Sequence, residues 1–170
     1  MQQNNGKLVL KKMINGKVYT QGNFGNNDPV KGDVKYSIKN EQGNTEKLII
    51  YHQNADGTYS KLSENGEVTY TPSEDNTTGE LIVYMDPGTY TVSEIGVPAY
   101  TEKITAGSET AEDKTVTLVA GENEPLIFYN KENLGQIKII KTGTRNGQKI
   151  NLPGAKFGIY SDSDCKEAVM

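Results

Sequence analysis

Three residues of unlike chemistry fall where strand parity turns each toward the apolar side of its own segment. Side chains along a strand alternate faces with a period of two, so Leu8, Leu10 and Lys12 share a face in KLVLKK (7–12). By the same rule Tyr90, Val92 and Glu94 share one in TYTVSE (89–94), and Leu126, Phe128 and Asn130 share one in PLIFYN (125–130). An amine, an acid and an amide are thereby set on faces that otherwise carry aliphatic and aromatic groups. Burying such groups singly is costly, so an inward lysine and an inward glutamate make sense only if they meet each other or react. Parity alone leaves three readings open: a buried Lys–Glu ion pair beside a hydrogen-bonded asparagine, strand ends that reach solvent, or groups that react. Lys11 is the competing amine, and parity turns it outward.

These residues depend on strands to position them, and strand signals are frequent and short. KLVLK (7–11), DVKYSI (33–38), EKLIIYH (46–52), EVTYT (67–71), ELIVYM (80–85), TYTVSEI (89–95), TVTLVA (115–120) and PLIFYN (125–130) are separated by turn clusters. Asn15-Gly16, Asp56-Gly57, Asn65-Gly66, Pro87-Gly88 and Asn146-Gly147 suit turns that need positive φ or a preset proline. No stretch of ten or more residues holds a clear helical apolar period, so the pattern predicts an all-β sandwich, with any helix confined to a turn or two within 105–112.

The 170 residues suffice for one medium domain or one domain and part of another. Only 34% are hydrophobic, and 18 glycines, 10 tyrosines and no tryptophan fit a turn-rich chain with a modest core. A net charge of -4 without basic blocks argues against nucleic acid as a partner. No apolar run approaches the length of a membrane span. A single cysteine, Cys165, excludes an internal disulfide framework, and with one histidine, His52, there are too few ligands for a Cys/His zinc site. His52 is expected to be an ordinary strand-end residue and Cys165 an incidental thiol. SEDNTTGE (73–80) lacks the spacing of a calcium loop and is expected to be a solvated turn. Tyr36, Tyr70 and Tyr84 are expected to pack at the edge of the core. No cofactor is called for.

An internal repeat organises the chain. GKLVLKK (6–12) recurs as GQIKIIK (135–141), with a lysine six positions after the glycine, so that Lys141 occupies the place of Lys12. Val30, Gly32, Tyr36 and Ile38 in VKGDVKYSIK (30–39) are matched in order by Leu152, Gly154, Phe157 and Ile159 in LPGAKFGIYS (152–161). The surplus between these blocks in the first copy holds GNFGNNDP (22–29), expected as a surface loop. The expected organisation is a complete domain over 1–133 and the truncated start of a second copy over 134–170, in a head-to-tail arrangement. The hairpin of that second copy is expected to pack poorly unless a neighbour supports it.

The combination of G-x-aliphatic-x-aliphatic-x-K, aliphatic-x-G, aromatic-x-aliphatic, Y-x-aliphatic-x-E-x-x-x-P-x-Y and an aromatic-rich strand ending in Asn resembles the Cna B-type repeat domains of Gram-positive collagen adhesins and pilins. YTVSEIGVPAY (90–100) is similar to the pilin E-box through Tyr90, Glu94, Pro98 and Tyr100. It departs at Ile95, where the family usually has threonine, and in lacking a glycine between the proline and the tyrosine. The resemblance implies a prealbumin-like (Ig-like) β-sandwich and makes Lys12 the amine, Asn130 the acceptor amide and Glu94 the catalytic acid of an intramolecular isopeptide bond. Lys141 would be the amine of the second copy, without partners in this chain. Desolvation disfavours the charged form of either group, so a buried amine can be a neutral nucleophile and a buried carboxyl can hold a proton.

The implied function is a structural stalk or pilin module of a bacterial surface adhesin, extracellular and anchored in the cell wall or associated with a pilus. It would be no enzyme in the ordinary sense, since the bond forms once per molecule. Its expected partners are neighbouring repeat domains or pilin subunits, with a host matrix protein or glycan as a further possibility. The alternative is a ligand-binding β-sandwich for a glycan or matrix protein in which Lys12 and Glu94 form only an ion pair.

Overall fold

The computed structural model describes residues 4–25, 27–99, 101–104, 113–133, 137–151, 153–160, 163–166 and 168. The chain divides into two compact units, Met1–Leu134 and Gly135–Met170. Among the described residues all regular structure is β, and no helix is long and apolar enough to cross a membrane.

The first unit contains β1 (Gly6–Ile14), β2 (Lys17–Val18), β3 (Val34–Asn40), β4 (Ile50–Gln53), β5 (Tyr59–Ser63), β6 (Glu67–Tyr70), β7 (Glu80–Met85), β8 (Gly88–Gly96), β9 (Thr101–Ile104), β10 (Lys114–Leu118) and β11 (Leu126–Glu132). One sheet runs β5-β4-β7-β1-β11-β9, with β2 beside β1, and the other runs β10-β8-β3-β6. The two inner faces share one apolar core built from Leu8, Leu10 and Ile14 of β1, Val83 and Met85 of β7, Tyr36 and Ile38 of β3 and Val92 of β8, among others. This is a β-sandwich. Alternation explains most of it: in β1, Leu8, Leu10, Lys12 and Ile14 are fully buried while Lys7, Lys11 and Met13 are partly exposed, and Val9 on the outer face is covered as well.

The central pairing is β1 with β11, and it is parallel, whereas the other pairings between the named strands of the two sheets are antiparallel among the described residues. An early strand therefore lies beside a late one in the middle of the larger sheet, with Lys12 level with Phe128 and Ile14 level with Asn130. Parallel neighbours require a long crossover. Here nearly the whole unit supplies it.

Several expectations are corrected. The segment 46–52 forms a strand only from Ile50, because Lys47 takes a left-handed conformation (φ 60°) and the Leu48 N–H bonds the Thr45 carbonyl in a turn. Strands β2, β5 and β9 went unexpected: they are short and polar, lie beside or at the margins of the larger sheet, and carry almost no apolar alternation. Tyr36 and Tyr70 are not at the core edge but inside it, at 0% and 2% exposure, while Tyr84 is partly buried. The helical turn expected within 105–112 lies outside the described residues.

The second unit contains a hairpin, β12 (Thr142–Arg145) and β13 (Gln148–Asn151), turned by Asn146-Gly147 with both residues at positive φ. The strands expected over 135–141 and 152–161 do not form among the described residues, apart from an isolated bridge between Tyr160 and Ala168. In the first unit β1 is held by strands on both sides. Within the second unit the apolar side chains of the corresponding run, Ile137 and Ile140, stay well exposed.

One turn bears directly on β1. Asn76 accepts from the Thr78 and Gly79 N–H groups and donates to the Glu80 carbonyl, which aims the Gly79 carbonyl at the Lys12 N–H, 2.8 Å away. Gly79 has φ +67°, and an added Cβ would collide with Val18 and approach the Lys12 carbonyl oxygen at 3.1 Å. Gly57 also has positive φ (+84°) but faces open space. Gly79→Ala should therefore cost about 3 kcal/mol and Gly57→Ala about 1 kcal/mol, to be read from urea unfolding of each beside the parent chain.

Candidate cross-linking site

Lys12, Glu94 and Asn130 are all buried, at 0%, 5% and 1% exposure. They come from three strands on two sheets: Lys12 from β1 and Asn130 from β11 in the larger sheet, and Glu94 from β8 in the smaller one. Parity thus placed all three correctly. Lys12 Nζ donates to Glu94 Oε1 across the sandwich, so the two charges that could not be buried separately are buried as a pair.

Each backbone is pinned. The Lys12 backbone is held along the edge of β1 that faces β7 and β2: its N–H donates to the Gly79 carbonyl at 2.8 Å and its carbonyl accepts from the Tyr19 N–H at 2.9 Å. Asn130 is bracketed by Asn15 in the turn after β1. The Asn15 N–H donates to the Asn130 carbonyl (3.0 Å), and Asn15 Oδ1 accepts from the Glu132 N–H (2.9 Å). That turn requires positive φ at Asn15 and Gly16, which the Asn-Gly pair tolerates.

The walls are aromatic. Tyr36 lies directly opposite Glu94 in the β3–β8 ladder, and its ring packs on Phe128 with centroids 5.0 Å apart. Burial, then the negative charge of Glu94 and then Tyr70, raise the Tyr36 phenol well above its usual range, so it stays protonated. Its hydroxyl has no hydrogen-bond partner, and neither does the Asn130 side-chain oxygen, both being buried. The Asn130 side-chain nitrogen, by contrast, donates to Thr101 Oγ1 at 3.1 Å. Unpaired buried polar atoms are uncommon, and each needs an explanation.

Sequence reasoning missed Tyr36 and Thr101 as neighbours of the site. Tyr36 shares its face of β3 with Val34 and Ile38, so parity carried the signal that it is buried. Thr101 belongs to a short polar strand and carried none. The remaining candidates lie elsewhere. Lys11 points away and approaches Glu80 at 3.8 Å, His52 is partly buried on β4, and Lys141 and the exposed Cys165 belong to the second unit.

A desolvated amine held beside a carboxyl, with a buried carboxamide on the neighbouring strand, can support aminolysis of the amide. The carboxyl can take the proton that the amine must lose and return it to the departing nitrogen. The same set can also persist as a non-covalent ion pair.

No family model and no curated protein matches the sequence. Among solved structures, the chain is similar to the Bacillus anthracis TIE protein, with 14% identity over 75% of this chain and 17% of that one, at a TM-score of 0.43. It is similar to GBS52, the minor pilin of Streptococcus agalactiae, with 19% identity over 82% of this chain and 49% of that one, at a TM-score of 0.40. It is also similar to the pilus-presented adhesin Spy0125 (Cpa), with 16% identity over 75% of this chain and 27% of that one, at a TM-score of 0.41. The chain spans less than half the length of each.

The two adjacent lysines of β1 should behave oppositely. Lys12→Ala strands the buried Glu94 and should cost at least about 3–5 kcal/mol, whereas Lys11→Ala should change stability by less than about 1 kcal/mol. Denaturant midpoints of the two variants check the assignment, and the reverse order would mean that the wrong amine has been placed inside.

Proposed function

We propose that this chain is a structural module of a Gram-positive surface stalk or pilin in which Lys12 and Asn130 become joined by an intramolecular isopeptide bond, with Glu94 as the proton shuttle. The observation that carries this reading is the burial of all three groups together, the amine and acid already paired and the amide on the adjacent parallel strand. The resemblance of the sequence to Cna B-type repeats points to the same residues. Residues 1–133 would be one such domain and 134–170 the opening of a second, with neighbouring repeats or pilin subunits as partners. The module would act outside the cell, at the wall or in a pilus.

In the reaction Lys12, neutral after passing a proton to Glu94, attacks Cγ of Asn130. The new C–N bond forms and the bond from Cγ to Nδ2 breaks: Glu94 returns its proton to Nδ2, which leaves as ammonia, and then takes up the second proton that the attacking nitrogen loses in becoming an amide. An amide is inert to amines in water, so the rate rests on fixed geometry. The bond would close a loop of about 120 residues, and by analogy with a disulfide it would stabilise the unit by about 5 kcal/mol through the unfolded state. Tension entering on β1 and leaving on β11 would pass through the bond and bypass most of the unit. That explains how an extracellular module endures without disulfides.

Intact-protein mass spectrometry tests the reading. The wild type should be lighter than its calculated mass by one ammonia, while Lys12→Ala, Glu94→Ala and Asn130→Ala should each have the full mass and melt well below it. A wild type at full mass would exclude the bond and leave a non-covalent spacer or binding domain.

A further inference from the structure

The Asn130 amide is not only buried but oriented, and the orientation has a traceable cause. Thr101 has a single hydroxyl proton, and it is donated to the Pro98 carbonyl oxygen at 2.7 Å. Toward Asn130 the Thr101 oxygen can therefore only accept, and Asn130 Nδ2 supplies the proton at 3.1 Å. Pro98 is itself a firm anchor, being buried in a segment whose next residue, Ala99, donates its N–H to the Lys31 carbonyl at 2.9 Å. Turning the amide over would set Oδ1 against Oγ1, two acceptors with no proton between them, and would lose a part-buried hydrogen bond. Nδ2 is thus held toward β9, while Oδ1 faces the buried interior with no partner of its own.

Resting on the cross-link proposed above, we propose that Thr101 is a positioning residue that locks the amide in its reactive orientation and makes position 130 selective for an amide over an acid. The leaving nitrogen is fixed on the Thr101 side. The carbonyl oxygen is left bare for a proton donor, and the same face of Cγ is presented to the Lys12 amine throughout. As Lys12 Nζ bonds to Cγ and Nδ2 departs as ammonia, Thr101 neither gains nor loses a proton. A carboxylate at position 130 would meet the lone pairs of Thr101 without a proton to share, so the Pro98–Thr101 relay disfavours it.

The test follows the mass of the whole chain in time after it is synthesised into denaturant and diluted into buffer. Thr101→Val keeps the shape and removes both hydrogen bonds, while Thr101→Ser keeps both. Loss of ammonia should be slowed at least about tenfold in Thr101→Val and restored to near the wild-type rate in Thr101→Ser, as expected when orientation sets the rate. A valine variant as fast as wild type, or a serine variant as slow as valine, would overturn the role. A second chain carrying Lys12→Met and Glu94→Gln keeps Asn130 unreacted in a neutral core and is examined by NMR. Its Asn130 Nδ2 protons should show nuclear Overhauser contacts to the Thr101 methyl group, and they should shift when Thr101→Val is added to that folded background. Absence of those contacts would overturn the orientation itself. A wild type that keeps its ammonia while the contacts are present would instead sink the cross-link reading alone.

Discussion

The confinement of the Lys12 amine and the Glu94 carboxyl between two sheets is the constraint to which the rest of the first unit answers. Taken singly, either charge would be expelled or neutralised. Taken together they can stay only if the sheets keep their separation and register, because an ion pair in an apolar interior offsets its desolvation only with good geometry. The flanking structure supplies that geometry. Gly79 and Tyr19 hold both backbone polar groups of Lys12, Tyr36 sits across from Glu94, and Asn15 fastens the end of β11. A core of the same volume built from leucine would have been simpler, so the retention of an amine, an acid and an amide in it calls for a chemical reason.

Topology gives that reason its mechanical sense. In an antiparallel meander, early and late strands end up wherever the hairpins leave them. Here β1 and β11 are parallel neighbours at the centre of the larger sheet, which brings a side chain from the start of the unit to one from its end. Under the proposed cross-link those strands become a continuous covalent path, and the remaining strands serve to hold the reacting groups dry and aligned. The hydroxyl of Tyr36 and the Asn130 side-chain oxygen are two of the buried polar atoms left unpaired in the first unit.

The buried site was largely legible in the sequence because period-two alternation is a direct consequence of strand geometry. Leu8, Leu10 and Lys12, or Tyr90, Val92 and Glu94, could be assigned to one face without knowing which strands would meet. What alternation could not reveal was the partnering. The parallel register of β1 with β11 arises from contacts distant in sequence, and Thr101 acquires its role only when β9 folds against β11. Short polar strands such as β5 and β9 left almost no apolar alternation. In the second unit the repeat pattern predicted strands that are absent from the described residues, because an alternating run such as IKIIK becomes a strand only when another strand is there to pair with it.

Peptide mapping of the trypsin-digested, denatured protein by tandem mass spectrometry is the most direct test of the central claim. The account predicts a branched species in which residues 12–17 (KMINGK) are joined through Lys12 to Asn130 of residues 115–131 (TVTLVAGENEPLIFYNK), with cleavage after Lys12 blocked. Recovery of both segments as ordinary linear peptides, with Lys12 cleaved and Asn130 an intact amide, would contradict it.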